Sequence, residues 1–399
     1  MTVIIKILII SLFVISCQNA KNKDKNQIVT FDLKVLPKIT NVKLSDLGFV
    51  DIEYIPIETN EQSLITGSDD LFLGNKIITG DRVFLIQHLN KILKFDSKGS
   101  FVTIIGTVGR GPNEFTVAYD VGVEEKSQNI YLLALSGTNM KFNVYSESGE
   151  FIKAFQIPFY SYEFRFIEDG ILCYSENHMA NIENSFNLID TNGRIIKSFP
   201  NKYPFKIKDA YFIWHENLFY RFNSRLFKKE VYSDTIYVFE NMSLKPHMVI
   251  EVGEKLITPK ARSEFDGLDL LKNYIDPLNL FEFGDYVYYE FIYRYVVPDD
   301  VLIYGFIGSK KKNFQALINP GQGFTNDLDG GPNILPKTIQ DDNTIIALVD
   351  ALQLKAHVAS EAFKNSTPKY PEKKKELQKL ANSLKDTDNP ILIKVKLKK

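Results

Sequence analysis

Several segments carry residue types that could do chemistry. Gly106-Thr107-Val108-Gly109-Arg110-Gly111-Pro112-Asn113-Glu114-Phe115 is rich in glycine and holds two ionisable side chains. A phosphate loop needs backbone N–H groups at a helix start and a Lys-Ser/Thr pair. That pair is missing and the segment runs into a strand-like sequence, so it reads as a connecting loop. Binding residues concentrate on loops carried by rigid scaffolds. Arg110, Asn113 and Glu114 are therefore candidate ligand contacts, with an Arg110–Glu114 pair expected to stiffen the loop. Trp214, the single tryptophan, is the fourth candidate. Asn326-Asp327-Leu328-Asp329-Gly330 alternates oxygen donors before a glycine, like the start of a calcium loop. The distal bidentate glutamate is missing, and turns closed by Asn and Asp side chains are the expected structure. Tyr160-Ser161-Tyr162-Glu163-Phe164-Arg165-Phe166 alternates aromatic and polar residues. It reads as a strand with one packed face, with a sugar-stacking platform as the sharper alternative.

The remaining chemistry is sparse. His88, His178, His215, His247 and His357 show no metal-ligand spacing, and no metal or cofactor site is assigned. No G-x-S-x-G elbow appears. Carboxylates are too numerous to single out an acid–base pair, so no catalytic residue is nominated. Cys173 lies in the strand-like run Gly170–Tyr174 and reads as a small core residue. The net charge of -1 removes any bulk electrostatic case for nucleic acid.

The other cysteine belongs to an address. Lys6 precedes the apolar run Ile7–Ile15, which is short for a membrane span and sits where a signal sequence sits. Val14-Ile15-Ser16-Cys17 resembles a bacterial lipobox, in which the cysteine is lipidated and becomes the mature N-terminus. The polar stretch after it cannot bury a core and reads as a tether. Residues 1–16 are thus expected to be a lipoprotein signal peptide, 17–28 a flexible tether, and 29–399 the folded domain. Membrane attachment through a lipid on Cys17 follows. Gln18 after the cysteine suggests the outer membrane by analogy with other Gram-negative lipoproteins, with the side left open.

The elements that must position these residues are mostly strands. Aromatic residues make up 13% of the 399, from 30 Phe, 20 Tyr and one Trp, and such an excess favours sheet. A strand–turn–strand unit recurs at Ile92–Val102, Phe142–Ile152 and Phe186–Ile196, with Gly99, Gly149 and Gly193 supplying the turns. Further strands precede each unit. A period in the forties with about four strands per unit indicates propeller blades. Less regular units follow to about residue 320. The sixth blade is assembled from both termini: Val29–Val35 and Val50–Ile57 from one end, Ile391–Val395 from the other. Helices are expected near Thr258-Pro259, within 343–365 after a strand, and over Pro371–Lys385. The alternating Ile391–Lys398 segment reads as an edge strand with outward lysines.

The glycine-rich loop, with Ile130–Leu133 and Val144-Tyr145 after it, resembles that of NHL-type propellers. More specifically, the chain is similar to the six-bladed β-propeller lipoproteins of Bacteroidetes. The matching pieces are Tyr54–Thr59, the glycine loop, Ser233–Tyr237, Asn326–Gly331 and Asn389–Leu392. Gln87 and Ala134 stand where NHL repeats often place Asp. The resemblance implies an all-β fold, a six-bladed propeller with short helical insertions and a C-terminal helix before the closing strand. It also implies an envelope address. The expected function is that of a non-catalytic binding or scaffolding lipoprotein for a protein, peptide or glycan. The alternative is a propeller lyase or hydrolase acting on a sugar or lactone at the channel mouth.

Overall fold

The computed structural model describes residues 28–65, 76–80, 83–88, 90–207, 213, 215–294 and 302–398. Strand β1 (Val29–Asp32) and strand β2 (Phe49–Pro56) come first. Blade 1 follows as β3 (Lys76–Thr79), β4 (Val83–His88), β5 (Lys91–Asp96) and β6 (Phe101–Ile104). Blade 2 is β7 (Val117–Val123), β8 (Ile130–Ser136), β9 (Asn139–Tyr145) and β10 (Phe151–Gln156). Blade 3 is β11 (Glu163–Ile167), β12 (Gly170–Tyr174), β13 (Asn184–Ile189) and β14 (Ile195–Pro200). Blade 4 is β15 (Asn217–Phe222), β16 (Arg225–Glu230), β17 (Thr235–Glu240) and β18 (Ser243–Glu251). Helices α1 (Pro259–Glu264) and α2 (Gly267–Asn273) lead to blade 5: β19 (Asp276–Phe283), β20 (Tyr286–Ile292), β21 (Ile303–Ser309) and β22 (Gln315–Ile318). Then come β23 (Thr338–Asp341), β24 (Thr344–Val349), helices α3 (Ala351–Ala359), α4 (Glu361–Asn365) and α5 (Pro371–Ser383), and β25 (Ile391–Leu397).

Blade 6 has the strand order β23-β24-β25-β2, so the last strand of the chain pairs with an early one. The pairing is antiparallel, with Tyr54 opposite Ile393 and Pro56 opposite Ile391. The ring is therefore a six-bladed β-propeller closed by both termini, which removes the open edges a linear stack would expose. The first strand of each blade lines the axis: β7 touches β3 and β11, β19 touches β15 and β23, and β23 touches β3.

Three expectations need correction. Val29–Val35 does not enter the closing blade. β1 instead runs parallel to β18 as a fifth strand on blade 4, and the chain then bridges Ile39 to Leu317 on the rim of blade 5. A short strand can cap any free edge, and strand periodicity does not say which. β25 is not an edge strand. It lies between β24 and β2, and Lys396 reaches Glu53 across the ladder at 3.3 Å. The expected Arg110–Glu114 pair does not form either, as described below.

The core explains the aromatic excess. Side chains alternate across each strand, so a blade buried on both faces feeds two different layers. On β8, Leu132 joins the layer between blades 1 and 2, while Tyr131 and Leu133 join that between blades 2 and 3. Large flat rings fill these layers: Phe142 of blade 2 meets Phe164 of blade 3 at 4.9 Å, and Phe199 of blade 3 meets Phe239 of blade 4 at 5.9 Å. Cys173 is fully buried in the layer between blades 2 and 3. Burial pushes its thiol far up, which leaves it inert.

Gly99, Gly149 and Gly193 have φ of +88°, +95° and +85°, as the hairpins require. Two of them have a second constraint. A Cβ on Gly99 would lie 2.1 Å from the Pro56 carbonyl oxygen, and one on Gly193 would lie 2.3 Å from that of Gln156. The turn of each of these blades is thus seated on the outer strand of the blade before it.

Helix α1 is capped by Thr258, whose hydroxyl accepts from the Ala261 N–H at 3.1 Å. Helix α5 packs Leu377 and Ala381 inward, on the apolar stripe legible in the sequence. Among the described residues no helix is long and apolar enough to cross a membrane.

Candidate functional site at one mouth of the ring

In an up-and-down blade, the turn between the second and third strands and the connection to the next blade share one end. This places the glycine-rich loop, residues 157–162, 175–183 and 201–207, and the α1–α2 insertion on one face of the ring. A dense group of ionisable and aromatic side chains lies there, where blades 2, 3 and 4 meet.

Glu216, just before β15, is its hub and is fully buried. One carboxylate oxygen accepts from the Tyr232 hydroxyl at 3.0 Å, and the other accepts from the Asn177 backbone N–H. Arg262 of α1 and the His178 ring each stand 3.7 Å from it. Three connections are thereby stitched to a carboxylate carried by a fourth. Burial raises the Glu216 pKa, against the opposing pull of His178 and Arg262. On its other side the His178 ring Nε2 meets the Glu176 carboxyl. Burial, reinforced by Glu163, pushes Glu176 up to about 9, while burial lowers His178. The pair therefore holds a proton without net charge near neutral pH.

Aromatic rings border this pair. Tyr162 stands edge-on to Tyr119 at 5.2 Å and to His178 at 5.7 Å, which makes a row of three rings. Tyr119 sits at a bulge in β7, where the register with β8 skips from Ala118 to Asp120. Bulges re-aim side chains next to sites, and this one sets Tyr119 apart from the ladder. Burial and the nearby Glu176 push the Tyr162 hydroxyl up to about 12.

Below the mouth, the axis-lining strands carry a charge relay. Asp120, 1% exposed, binds Lys76 of β3, Arg165 of β11 at 2.8 Å and the Phe164 N–H at 2.9 Å. Three blades are joined at that carboxylate. Glu163 lies 3.9 Å from Arg165. Burial lowers the pKa of His215, with Glu163 and Lys76 close by. The opposite face holds a different group: Glu282 accepts from Tyr220 at 2.8 Å and from Lys310 at 2.7 Å, and meets His247 at 2.8 Å. Its oxygens are satisfied, and it clamps blade 4 to blade 5.

The residues singled out from sequence fall nearby but do not form the hub. Arg110 and Asn113 are exposed on the same face. Glu114 folds back into its own loop and accepts from the Gly111 N–H at 2.6 Å. No ion pair joins it to Arg110 among the described residues. A Cβ on Gly109 would fall 2.0 Å from the Glu114 carboxylate, so the glycine makes room for this fold-back. Lys141 donates to the Glu114 carbonyl at 2.8 Å and fixes the loop to β9. Trp214 and Cys17 lie outside the described residues, whereas the adjoining His215 and Glu216 belong to the mouth. Glu176, His178, Glu216 and Arg262 were missed. A usable signal existed: Glu176-Asn177-His178 and His215-Glu216 each set an imidazole beside a carboxylate at the end of an apolar strand.

The oxygen-rich Asn326 segment is structural. Asp329 accepts from the Gly331 N–H at 2.9 Å and the Asn326 amide at 2.7 Å, and Tyr54 of β2 donates to it at 3.3 Å. Asp327 holds Ser45 through its backbone N–H at 3.1 Å. These bonds fasten the N-terminal strap to the loop before blade 6. No group of three or more potential metal ligands is present among the described residues.

Comparison with known proteins places the fold. A candidate exported protein of Bacteroides fragilis NCTC 9343 superposes with a TM-score of 0.68 over 94% of this chain and 100% of its own, at 19% identity. A member of the DUF4221 family from Bacteroides vulgatus ATCC 8482 gives a TM-score of 0.51 over 88% of this chain and 97% of its own, at 11% identity. No curated protein matches the sequence. Residues 28–396 match one family along nearly the whole propeller, and the chain belongs to that family, the Domain of unknown function (DUF4934).

Proposed function

We propose that this protein is an exported propeller, anchored to the outer membrane through a lipid on Cys17, that binds a protein, peptide or glycan partner across the mouth face described above. One observation carries the binding reading. Val108, Tyr160, Met179, Ile207 and Leu268 are each at least 40% exposed, and all five lie on connections of that face. Exposed apolar side chains on one loop face, set among polar groups, offer a partner apolar surface to bury. The lipobox-like Val14–Cys17 supports the anchor, and the exported character of the Bacteroides fragilis relative supports the address. A second reading, a lyase or hydrolase, is favoured by the Glu176–His178–Glu216 group, since a buried carboxyl that keeps its proton can act as a general acid.

Two measurements test this. Cys17→Ala should move the protein from the membrane fraction to the soluble fraction. A peptide and glycan array should register binding that a Val108→Ser, Met179→Ser, Leu268→Ser triple variant loses. Binding that survives the triple variant refutes the face. Turnover of a glycan or lactone that Glu176→Gln abolishes would establish the second reading instead.

A further inference from the structure

We propose that the mouth between blades 2, 3 and 4 is a binding site for an uncharged saccharide, which stacks on the Tyr119–Tyr162–His178 row and hydrogen-bonds with Glu176 and Asn177. The inference rests on the binding reading of this face and names its ligand class.

The first argument is charge. Among the described residues, the ionised side chains around the hub face internal partners. Lys76 and Arg165 answer Asp120, Arg262 answers Glu216, and Arg165 stands 3.9 Å from Glu163. Glu176 and His178 form a pair without net charge. A charged ligand would have to break one of these pairs and leave a buried charge uncompensated, which is strongly unfavourable. An uncharged ligand disturbs none of them.

The second argument is the unspent hydrogen-bonding capacity. Asn177 is 3% exposed and sits between Glu176 and His178 in the chain, yet its amide nitrogen has no hydrogen-bond partner among the described residues. The buried Glu163 Oε2, although 3.9 Å from the Arg165 guanidinium, accepts no hydrogen bond from any described residue. Buried polar groups left unpaired are rare and call for an explanation. A hydroxyl can donate to one and accept from the other, so a polyhydroxylated molecule matches both, whereas a purely apolar ligand matches neither.

The third argument is shape. Tyr119 and Tyr162 are partly exposed, Tyr160 is 55% exposed, and the hydroxyls of Tyr119 and Tyr162 bond to no described residue. Their rings offer apolar faces to the C–H face of a pyranose, and their phenols offer directional bonds at its rim. Tyrosine supplies this combination at low entropic cost.

The test is calorimetric titration of the full-length protein in detergent with cellohexaose, maltohexaose, xylohexaose and mannohexaose, alongside hexagalacturonate. At least one neutral hexasaccharide should bind with a Kd below about 1 mM. Tyr162→Ala should weaken it by about 10-fold or more, the effect of losing an aromatic anchor, with no change in unfolding midpoint. No binding of any neutral hexasaccharide at 5 mM (~1 kcal/mol weaker than the expected limit), tighter binding of hexagalacturonate, or indifference to Tyr162→Ala would each overturn the proposal. If peptide-array binding that needs Val108, Met179 and Leu268 persists in that case, the saccharide inference fails and the binding face stands.

Discussion

Replacing Gly193 by alanine tests how one blade is seated on the next. The residue sits at φ +85°, where an L side chain is strained by roughly 1–2 kcal/mol. Its Cβ would also stand 2.3 Å from the Gln156 carbonyl oxygen and 3.0 Å from the Phe155 ring. That neighbour is backbone of β10, already held by its ladder to β9, so it cannot swing aside as a side chain would. Overpacking of this kind costs about 1–3 kcal/mol. Alanine stiffens the unfolded chain, which returns about 0.4–1 kcal/mol. The net expectation is a loss of about 1–5 kcal/mol. Gly137 supplies the control: its φ is +64°, but a Cβ there would meet nothing within 4 Å. Gly137→Ala should therefore lose about 0–2 kcal/mol, strain alone less the same return. Urea unfolding of both variants beside the parent gives the difference directly. Equal losses at the two sites would refute the idea that Gly193 is needed for blade-to-blade contact as well as for its turn.

Two further outcomes follow from the same structure. Asn389 donates to the Glu58 and Ser63 carbonyls and accepts from the Ile65 N–H, each at 2.8 Å, next to where β2 and β25 close the ring. Asn389→Ala should cost about 2–4 kcal/mol in denaturant unfolding, since three bonds at ~1 kcal/mol vanish and buried groups are left unpaired. Glu176 titrates near 9 in the fold against about 4.5 in the unfolded chain. Tyr119, Tyr162, Glu163, His178 and Glu216 face it, with Arg262 beyond them on Glu216. Because the folded value is raised, its favourable contribution is complete below about pH 4.5 and is lost progressively as pH rises to about 9. Glu176→Gln, which cannot ionise, should thus gain stability over the parent at pH 8 compared with pH 5, as read from unfolding midpoints. An equal difference at both pH values would show that Glu176 is not held protonated.

Much of the architecture was legible because it rests on local rules. Period-two apolar runs mark strands, and Gly99, Gly149 and Gly193 mark hairpins at φ above zero. The leucine stripe of α5 and the Thr258-Pro259 start of α1 emerged where spacing and capping placed them. Even the ring closure was legible in outline, since the chain offers unpaired strand sequences at both ends. The candidate site was less so. The glycine-rich loop was recognisable as a loop between blades, yet Glu114 spends its carboxylate on Gly111. Glu176 and Glu216 were two carboxylates among many, 40 positions apart in the chain.

What sequence alone determined is therefore the inventory: strands, turns, blade count and the buried role of Phe and Tyr. What the tertiary structure decided is adjacency. β1 went to blade 4 rather than blade 6, because pairing partners of a short edge strand are chosen by ring geometry and not by periodicity. β25 became an interior strand because β2 covers it. Asp120 gained Lys76 and Arg165 from two other blades, and Glu176 a protonation state that depends on burial among them. Local physics sets which element a residue joins, but charge, proton affinity and binding capacity depend on neighbours brought from distant positions. Closing the ring brings those neighbours together.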